Sequence, residues 1–499
     1  MSSIKKYSEY TGHLRKIADV RYAIAVLQWD QETYMPQKGA GFRAQQVATL
    51  SEISHGLFTR ESFKNILQEL MTCGDLDEIQ QKNIDLSWYD YTQQQKLSGD
   101  FVRLLSEATS NSFQAWVRAK KENDFSVFEP HLAGLLELKK QEAALLGYED
   151  HPYNALLNQY ERGCTVHLLD KVFSTLQQPL QNLLRKVTAC KQVDDAFLTQ
   201  PYPREKQWQF GMELIKQLGF DFEAGRQDIA EHPFTTSFSS QDVRLTTRID
   251  ENDFSNMTWS CIHECGHGLY EQGLPASFYG LPLGEYTSLS IHESQSRLWE
   301  NNVGRSINSW RHFYPLVQQY FPGQLKDISL QHFYKGINKV QPSFIRTEAD
   351  ELTYHFHVQV RYELEKKLLD GTLQAKDIPA YWNEQYKKLL GVNVPNDKQG
   401  CLQDVHWSHG SFGYFPTYSL GSFYAAQFFA AAEKNIPDLA IEITNGNYKP
   451  LLDWLRTSVY VHGRRFTSEE LCTRITGEPL NIDYFIRYAT DKYKDIYAF

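Results

Sequence analysis

Cys261-Ile262-His263-Glu264-Cys265-Gly266-His267 stands near the middle of a 499-residue chain, and its reading decides the rest. The pattern is H-E-x-x-H. On a helix, positions four apart are separated by only about 40° and stack one turn above the other. His263 and His267 then present two nitrogens to one metal ion from one face, and Glu264 stands close enough to reach a water beside the ion. The flanks favour a helix: Trp259, Ile262 and Leu269 share one apolar stripe, and Gly273 with Pro275 ends the run.

Composition narrows the function classes. The chain is 41% hydrophobic and 22% charged, as in a soluble globular protein with a large core. A net charge of −10 and the lack of a basic arm argue against nucleic acid or an anionic membrane surface as partner. The longest apolar stretches, such as Phe423 to Ala432, fall well short of the ~20 residues that span a bilayer. The lysines near the N-terminus, Lys5 and Lys6, have no apolar core behind them, so no secretory signal is expected. Seven cysteines without a C-x-x-C pair suggest reduced thiols and a cytoplasmic location. Cys261 and Cys265 share a helical face, but the histidine pair beside them is the better ligand set.

Outward from the motif, the pattern is mostly helical. Ile4 to Gln28, Phe101 to Lys121 and Phe128 to Leu146 carry apolar residues at three- and four-residue spacings. Residues 228–256 differ: Val243, Leu245 and Ile249 alternate with polar residues, which predicts short strands in one small antiparallel sheet. An extended substrate could add to the edge of such a sheet. A second helix is expected from about Glu285 to Val303. The helical pattern resumes at Ser309, apart from a loop from Gly391 to Gly400 and the aromatic stretch Trp407 to Tyr424. No linker separates domains. The expectation is one domain over 1–499, with a helical N-terminal half to about 225 and a catalytic half over 226–499.

A catalytic zinc usually keeps three protein ligands and one open position. Spacing offers Glu285, Glu293 and Glu300 as the third. Glu285 stands where a helix start favours an acid anyway, Glu300 reads as a solvated charge, and Glu293 has polar neighbours able to hydrogen-bond a ligating carboxylate.

Further motifs follow in order. They are Asp242-Val243-Arg244-Leu245-Thr246, His292-Glu293-Ser294-Gln295, Ile345-Arg346-Thr347-Glu348-Ala349-Asp350 and Gly400-Cys401-Leu402-Gln403-Asp404-Val405-His406-Trp407. Weaker marks are Trp29-Asp30 with Met35-Pro36, Pro152-Tyr153, Gly413 to Tyr418 and Thr476 to Leu480. With H-E-x-x-H, these make the chain resemble the M32 metallocarboxypeptidases, the family of the thermostable Taq-type carboxypeptidases, over nearly its whole length.

The resemblance implies a mainly α-helical, gluzincin-like fold with a deep groove, floored by the metal helix and the Glu293 helix. It implies His263, His267 and Glu293 as ligands of one divalent ion (zinc, with cobalt or manganese as alternatives) and Glu264 as general base. Peptides are the implied substrates, losing single C-terminal amino acids, and a homodimer the implied assembly. His406 and Tyr418, with Tyr414 behind them, are candidate donors to the developing oxyanion; a structural histidine and a core aromatic are the alternatives. A carboxypeptidase must hold a free carboxylate, for which arginine is best suited. The resemblance puts Arg346 first, against an ion pair with Asp350 or Glu348. Arg244 serves substrate or braces the edge strand, and His232 approaches the cleft or caps a loop. Two rival readings are an endo-acting or dipeptide-releasing oligopeptidase on the same site, and a non-catalytic peptide-binding protein with a structural metal.

Overall fold

The structure is a computed structural model that describes residues 3–499. Helices dominate it, around one three-stranded sheet. The chain forms two compact units, each woven from separate segments. The first takes the chain up to Gln95, Asp194–Ile337 and Phe428–Pro479; the second takes Lys96–Val193, Asn338–Gln427 and Leu480–Phe499. The boundary expected near residue 225 falls inside the first unit.

In the first unit the H-E-x-x-H helix spans Phe254–Gly273. Asp253 caps it, its side chain accepting from the Ser255 N–H at 2.8 Å, and the chain turns extended at Leu274 before Pro275. The predicted stripe of Trp259, Ile262 and Leu269 is buried, but burial goes well beyond one stripe, with Cys261, Cys265 and Gly266 also inside. This is a central helix, covered on several sides. A Cβ on Gly266 would stand 2.6 Å from the Ser296 Cα and 2.7 Å from the Gln295 carbonyl oxygen. Glycine at this position therefore lets the backbone of the Glu293 helix lie directly against the H-E-x-x-H helix.

The Glu293 helix is shorter than expected, Leu289–Arg297, and its cap is Ser288, which accepts from the Ile291 N–H at 3.1 Å. Glu285 lies before it, outside the helix. Past Arg297 the chain widens into a π-helical segment, Leu298–Gly304. Such bulges re-aim side chains by shifting them around the axis, and they are common at functional sites.

The sheet runs β1 (Gly225–Ile229), β2 (Thr235–Ser239) and β3 (Asp242–Thr247) in the order β1-β3-β2. It is mixed rather than antiparallel: β2 pairs antiparallel with β3, and β1 pairs parallel with it. β1 carries no apolar alternation, because the residues it buries are Gln227 and Asp228. β3, which bears Arg244, is therefore the central strand and not an edge. Val243 and Leu245 on it are fully buried.

The second unit is built on Tyr354–Asp370, a helix so enclosed that His357, Arg361 and Glu365 on it are inaccessible to solvent. The aromatic stretch 407–424, expected to interrupt the helical pattern, does so only to Tyr414, because a helix begins at Phe415. All seven cysteines are free thiols. Among the described residues no helix is long and apolar enough to cross a membrane.

Candidate metal centre and active site

His263 and His267 project from one face of the H-E-x-x-H helix, and Glu293 meets them from the neighbouring helix. Glu293 Oε2 lies 3.7 Å from His263 Nε2 and 3.6 Å from His267 Nε2. In a tetrahedral site with bonds of about 2.0–2.1 Å, ligand atoms stand roughly 3.3–3.4 Å apart. These two separations are a few tenths of an ångström wider than that, and the three ligand atoms all lie within 4.8 Å of one another, so the donor set fits one divalent ion.

Outer partners hold each ligand in place. His263 Nδ1 meets Glu300 Oε2 at 2.9 Å, and His267 Nδ1 meets the His292 carbonyl oxygen at 3.0 Å. With Nδ1–H donating to these acceptors, both Nε2 lone pairs face the ion site. His292 extends one arm: its Nδ1 is 2.7 Å from His267 Nδ1, its Nε2 is 2.8 Å from Glu271 Oε1, and Glu271 Oε2 accepts from Ser237 Oγ of β2 at 2.7 Å. Burial and His292 together hold His267 well below the usual histidine range, in the uncharged form a ligand needs.

Glu300 is not the solvated charge expected. It is buried in the π-helical segment, where it takes His263 together with Arg297 Nη1 at 3.1 Å and Arg305 Nη2 at 3.3 Å. Burial alone would raise its pKa. Arg297, His263 and Arg305 outweigh that and keep the carboxyl well below the ordinary range. Arg297 Nε also donates to Glu293 Oε1 at 2.7 Å, which leaves Oε2 turned toward the histidines. Glu285, the remaining candidate, instead pairs with Arg21 at 3.3 Å and Arg464 at 3.5 Å.

Glu264 is 6% exposed, and its Oε2 accepts from Thr235 Oγ1 of β2 at 2.6 Å. Burial pushes this carboxyl up, partly offset by His263 and by the Thr235 hydrogen bond. His232 is exposed in the connection between β1 and β2. Arg244 reaches Asp242 through Nε at 2.6 Å and Nη2 at 3.0 Å, between the rings of Trp29 at 4.8 Å and Phe238 at 5.2 Å. That arrangement is the bracing alternative, set on the central strand.

The second unit gathers Arg346, His406, Tyr414 and Tyr418. Arg346 pairs with neither Asp350 nor Glu348. Its Nε and Nη2 donate to Asp404 Oδ1 at 3.0 and 2.9 Å, and its Nη1 to the Tyr354 hydroxyl at 3.0 Å. Asp350 is occupied in capping the turn at Leu352 and Thr353. Arg361 Nε donates to the other oxygen of Asp404 at 2.7 Å. His406 Nε2 lies 3.2 Å from the Tyr418 hydroxyl, and the Tyr414 ring packs beside the two, its centroid 5.3 Å from each. Burial and the neighbouring Arg346 press His406 down to about 3, so it is a neutral imidazole at working pH.

The family description "Carboxypeptidase Taq (M32) metallopeptidase" matches residues 9–493. The chain belongs to the M32 metallopeptidases. It is 38% identical to Carboxypeptidase 1 of Bacillus subtilis over 98% of each chain, and 39% identical to Thermostable carboxypeptidase 1 of Thermus thermophilus over 95% of each. The crystal structure of the M32 carboxypeptidase from Deinococcus radiodurans superposes with a TM-score of 0.97 at 37% identity, covering 99% of this chain and 100% of that one. Metallocarboxypeptidase 1 of Trypanosoma cruzi gives 0.94 at 34% identity, with the same coverage. The protein is a metallocarboxypeptidase with a mainly α fold, and its family implies a divalent metal.

Within this enzyme Glu300 offers a direct test of the outer partners. Glu300→Gln is expected to weaken metal binding by about 10–100-fold. Competition against a chromophoric chelator measures this, and unchanged far-ultraviolet circular dichroism shows that the helices persist.

Proposed function

We propose that the enzyme hydrolyses the last peptide bond of peptides with a free C-terminus, releasing one amino acid per cycle. The observation that carries this reading is the convergence of His263 and His267 of one helix with Glu293 of the next, beside a buried Glu264. The three ligands would hold a divalent ion, zinc by preference for a His₂Glu set, with cobalt or manganese also suited to it. When bound, such an ion supplies Lewis acidity, which acidifies water and polarises a peptide carbonyl.

Glu264 would take the proton of the attacking water. Thr235 holds Oε2, so Oε1 is the oxygen left to receive the proton, and burial makes the carboxylate more basic than an exposed one. The same oxygen would then pass the proton to the leaving amine. On the family resemblance, His406 and Tyr418 are proposed as donors to the developing oxyanion, with Tyr414 beside them, and Arg346 as partner of the substrate carboxylate. Arg244, paired with Asp242 on the central strand, and His232, in the connection between β1 and β2, are proposed only as contacts flanking the substrate. The resemblance also underlies our proposal of a homodimer, whereas a single working domain is proposed from the lack of a linker and a cytoplasmic location from the unpaired thiols.

One observation favours the dipeptide-releasing or endo-acting alternative: the Arg346 guanidinium already faces Asp404 and Tyr354. A single peptide prepared with a free C-terminal carboxylate and with a C-terminal amide separates the readings. Metal-loaded enzyme is expected to cut a ladder of single residues from the acid and to leave the amide intact, as followed by mass spectrometry. Internal or dipeptide cuts in both forms would overturn the proposal.

A further inference from the structure

Glu365 is a fully buried carboxylate outside the proposed metal centre, and the proposed mechanism does not use it. It sits on the central helix of the second unit and faces three donors. Trp407 Nε1 reaches its Oε1 at 2.7 Å, and the Gly413 N–H reaches its Oε2 at 2.8 Å. The Tyr153 hydroxyl donates to Oε2 as well. Two of these donors lie at opposite ends of the segment that begins at His406 and ends at Tyr414. The third belongs to the Pro152-Tyr153 mark, to which no role has been assigned.

The segment has little freedom elsewhere. Ser411 N–H donates to the His406 carbonyl oxygen at 3.0 Å, closing the loop on itself. Gly413 has φ of +99°, and a Cβ there would stand 2.8 Å from the Leu156 carbonyl oxygen, so its backbone N–H is aimed by a conformation that only glycine readily takes. Tyr160 packs edge-on against Tyr414 with ring centroids 5.3 Å apart.

We propose that Glu365 is a positioning residue: through Trp407 and Gly413 it fixes the His406–Tyr414 segment and so sets where the His406 imidazole and the Tyr414 ring stand for the reaction. The inference rests on the reading of His406 as a substrate-facing donor.

The energetics agree with a functional rather than a stabilising purpose. Burial raises Glu365 from 4.5 to about 7, against the opposing pull of Tyr153, Gly413, Trp407 and Arg361. The folded value lies above the unfolded one, so the fold binds the proton more tightly. Stability is therefore full below 4.5 and falls as pH rises toward about 7. An ionised acceptor is retained at a cost to the fold. Arg361 is the charged group beside it; Tyr153 and Tyr160 are the other titratable groups coupled to it, with Glu142 beyond Tyr160 and Tyr362 and Cys164 beyond Tyr153. Protonation would leave one strong acceptor oxygen for Trp407 Nε1–H and Gly413 N–H, which sit on different oxygens, while the acid O–H would have the Tyr153 oxygen as its acceptor.

The test combines Glu365→Gln, Trp407→Phe and Tyr153→Phe with His406→Ala, each in the full-length metal-loaded enzyme. Glu365→Gln is expected to lower kcat by about 10–100-fold, with KM, metal content and thermal midpoint close to the parent. The parent's kcat is expected to rise with pH through about 7, and the variant to lack that limb. Trp407→Phe removes one donor and is expected to give a smaller loss of the same kind, which keeps the test alive if Glu365→Gln fails to fold. In a His406→Ala background, Glu365→Gln should cost much less than in the parent, only what the displaced Tyr414 ring still contributes; a full loss of about 10–100-fold there would overturn the positioning role. An impaired His406→Ala alongside a fully active Glu365→Gln overturns the positioning role alone. A fully active His406→Ala overturns the reading of His406, and the positioning role with it.

Discussion

Glu264→Gln is expected to abolish practical turnover, with kcat falling by about 10²–10⁴-fold while the protein still binds its metal. The residue is not one of the three converging ligands, so its charge can be removed without opening the ion site. Gln occupies the same volume and can still accept from Thr235 through its amide oxygen. Its NH₂ group then stands where Oε1 stood, and a carboxamide cannot take up a proton at neutral pH. Water attack would proceed without a base, and the leaving amine would depart without an acid. Thr235→Val, which deletes only the hydrogen bond at 2.6 Å, should cost far less, because the carboxylate stays in place and buried. Metal analysis together with single-turnover kinetics on a free-acid peptide checks this. Near-parental turnover in the metal-loaded Glu264→Gln variant would mean that the proton goes elsewhere.

How much of this centre could be read from the chain follows from the range of each interaction. His263, Glu264 and His267 lie within one helical turn and a little more, so local geometry alone brings them together. Glu293 was separable from Glu285 and Glu300 by the family resemblance but not by spacing. The difference lies in where the next helix starts: Ser288 caps it, which leaves Glu285 outside with Arg21 and Arg464. Glu300 was misread because an α-helical wheel carried past Arg297 does not allow for the π-helical segment, and because its partners Arg297 and Arg305 fix a buried charge that composition assigns to the surface. β1 was illegible for a related reason. Its buried residues are polar, and Gln227 finds its partner in Cys261 Sγ, 34 positions away.

The second unit shows the same limit more strongly. Arg346 has two acids within four positions, which sequence offers as its alternative partners to a substrate carboxylate. The actual partner, Asp404, is 58 positions distant. Asp404 also takes Arg361, and these two guanidiniums hold it well below the usual carboxylate range against the effect of burial. Gln403, its neighbour in the same motif, accepts from the Arg346 backbone N–H at 2.9 Å. The G-x-x-Q-D-x-H-W and I-R-x-x-A-D marks are thus two halves of one hydrogen-bonded assembly, a relation that neither stretch reveals alone.

Glu293→Ala is expected to cost metal binding more than any outer-partner substitution, beyond the about 10–100-fold anticipated for Glu300→Gln. Two effects add. The substitution removes the only anionic atom among the three ligand atoms, and it takes one of two carboxylates from Arg297, whose Nε donates to Glu293 Oε1 at 2.7 Å and whose Nη1 keeps Glu300 at 3.1 Å. A cation then meets two neutral imidazoles and a guanidinium whose charge is offset by Glu300 alone. Glu293→Ala with Arg297→Ala should recover part of the loss, whereas Arg297→Ala alone should weaken binding modestly, because the carboxylate remains but is no longer oriented. Metal content after dialysis against a graded series of chelator concentrations measures all three. The opposite ranking, with Glu293→Ala retaining metal and Glu300→Gln losing it, would move the third ligand to Glu300. The geometry opposes that outcome, because Glu300 Oε2 faces Nδ1 of His263 and not the Nε2 atoms that converge on Glu293.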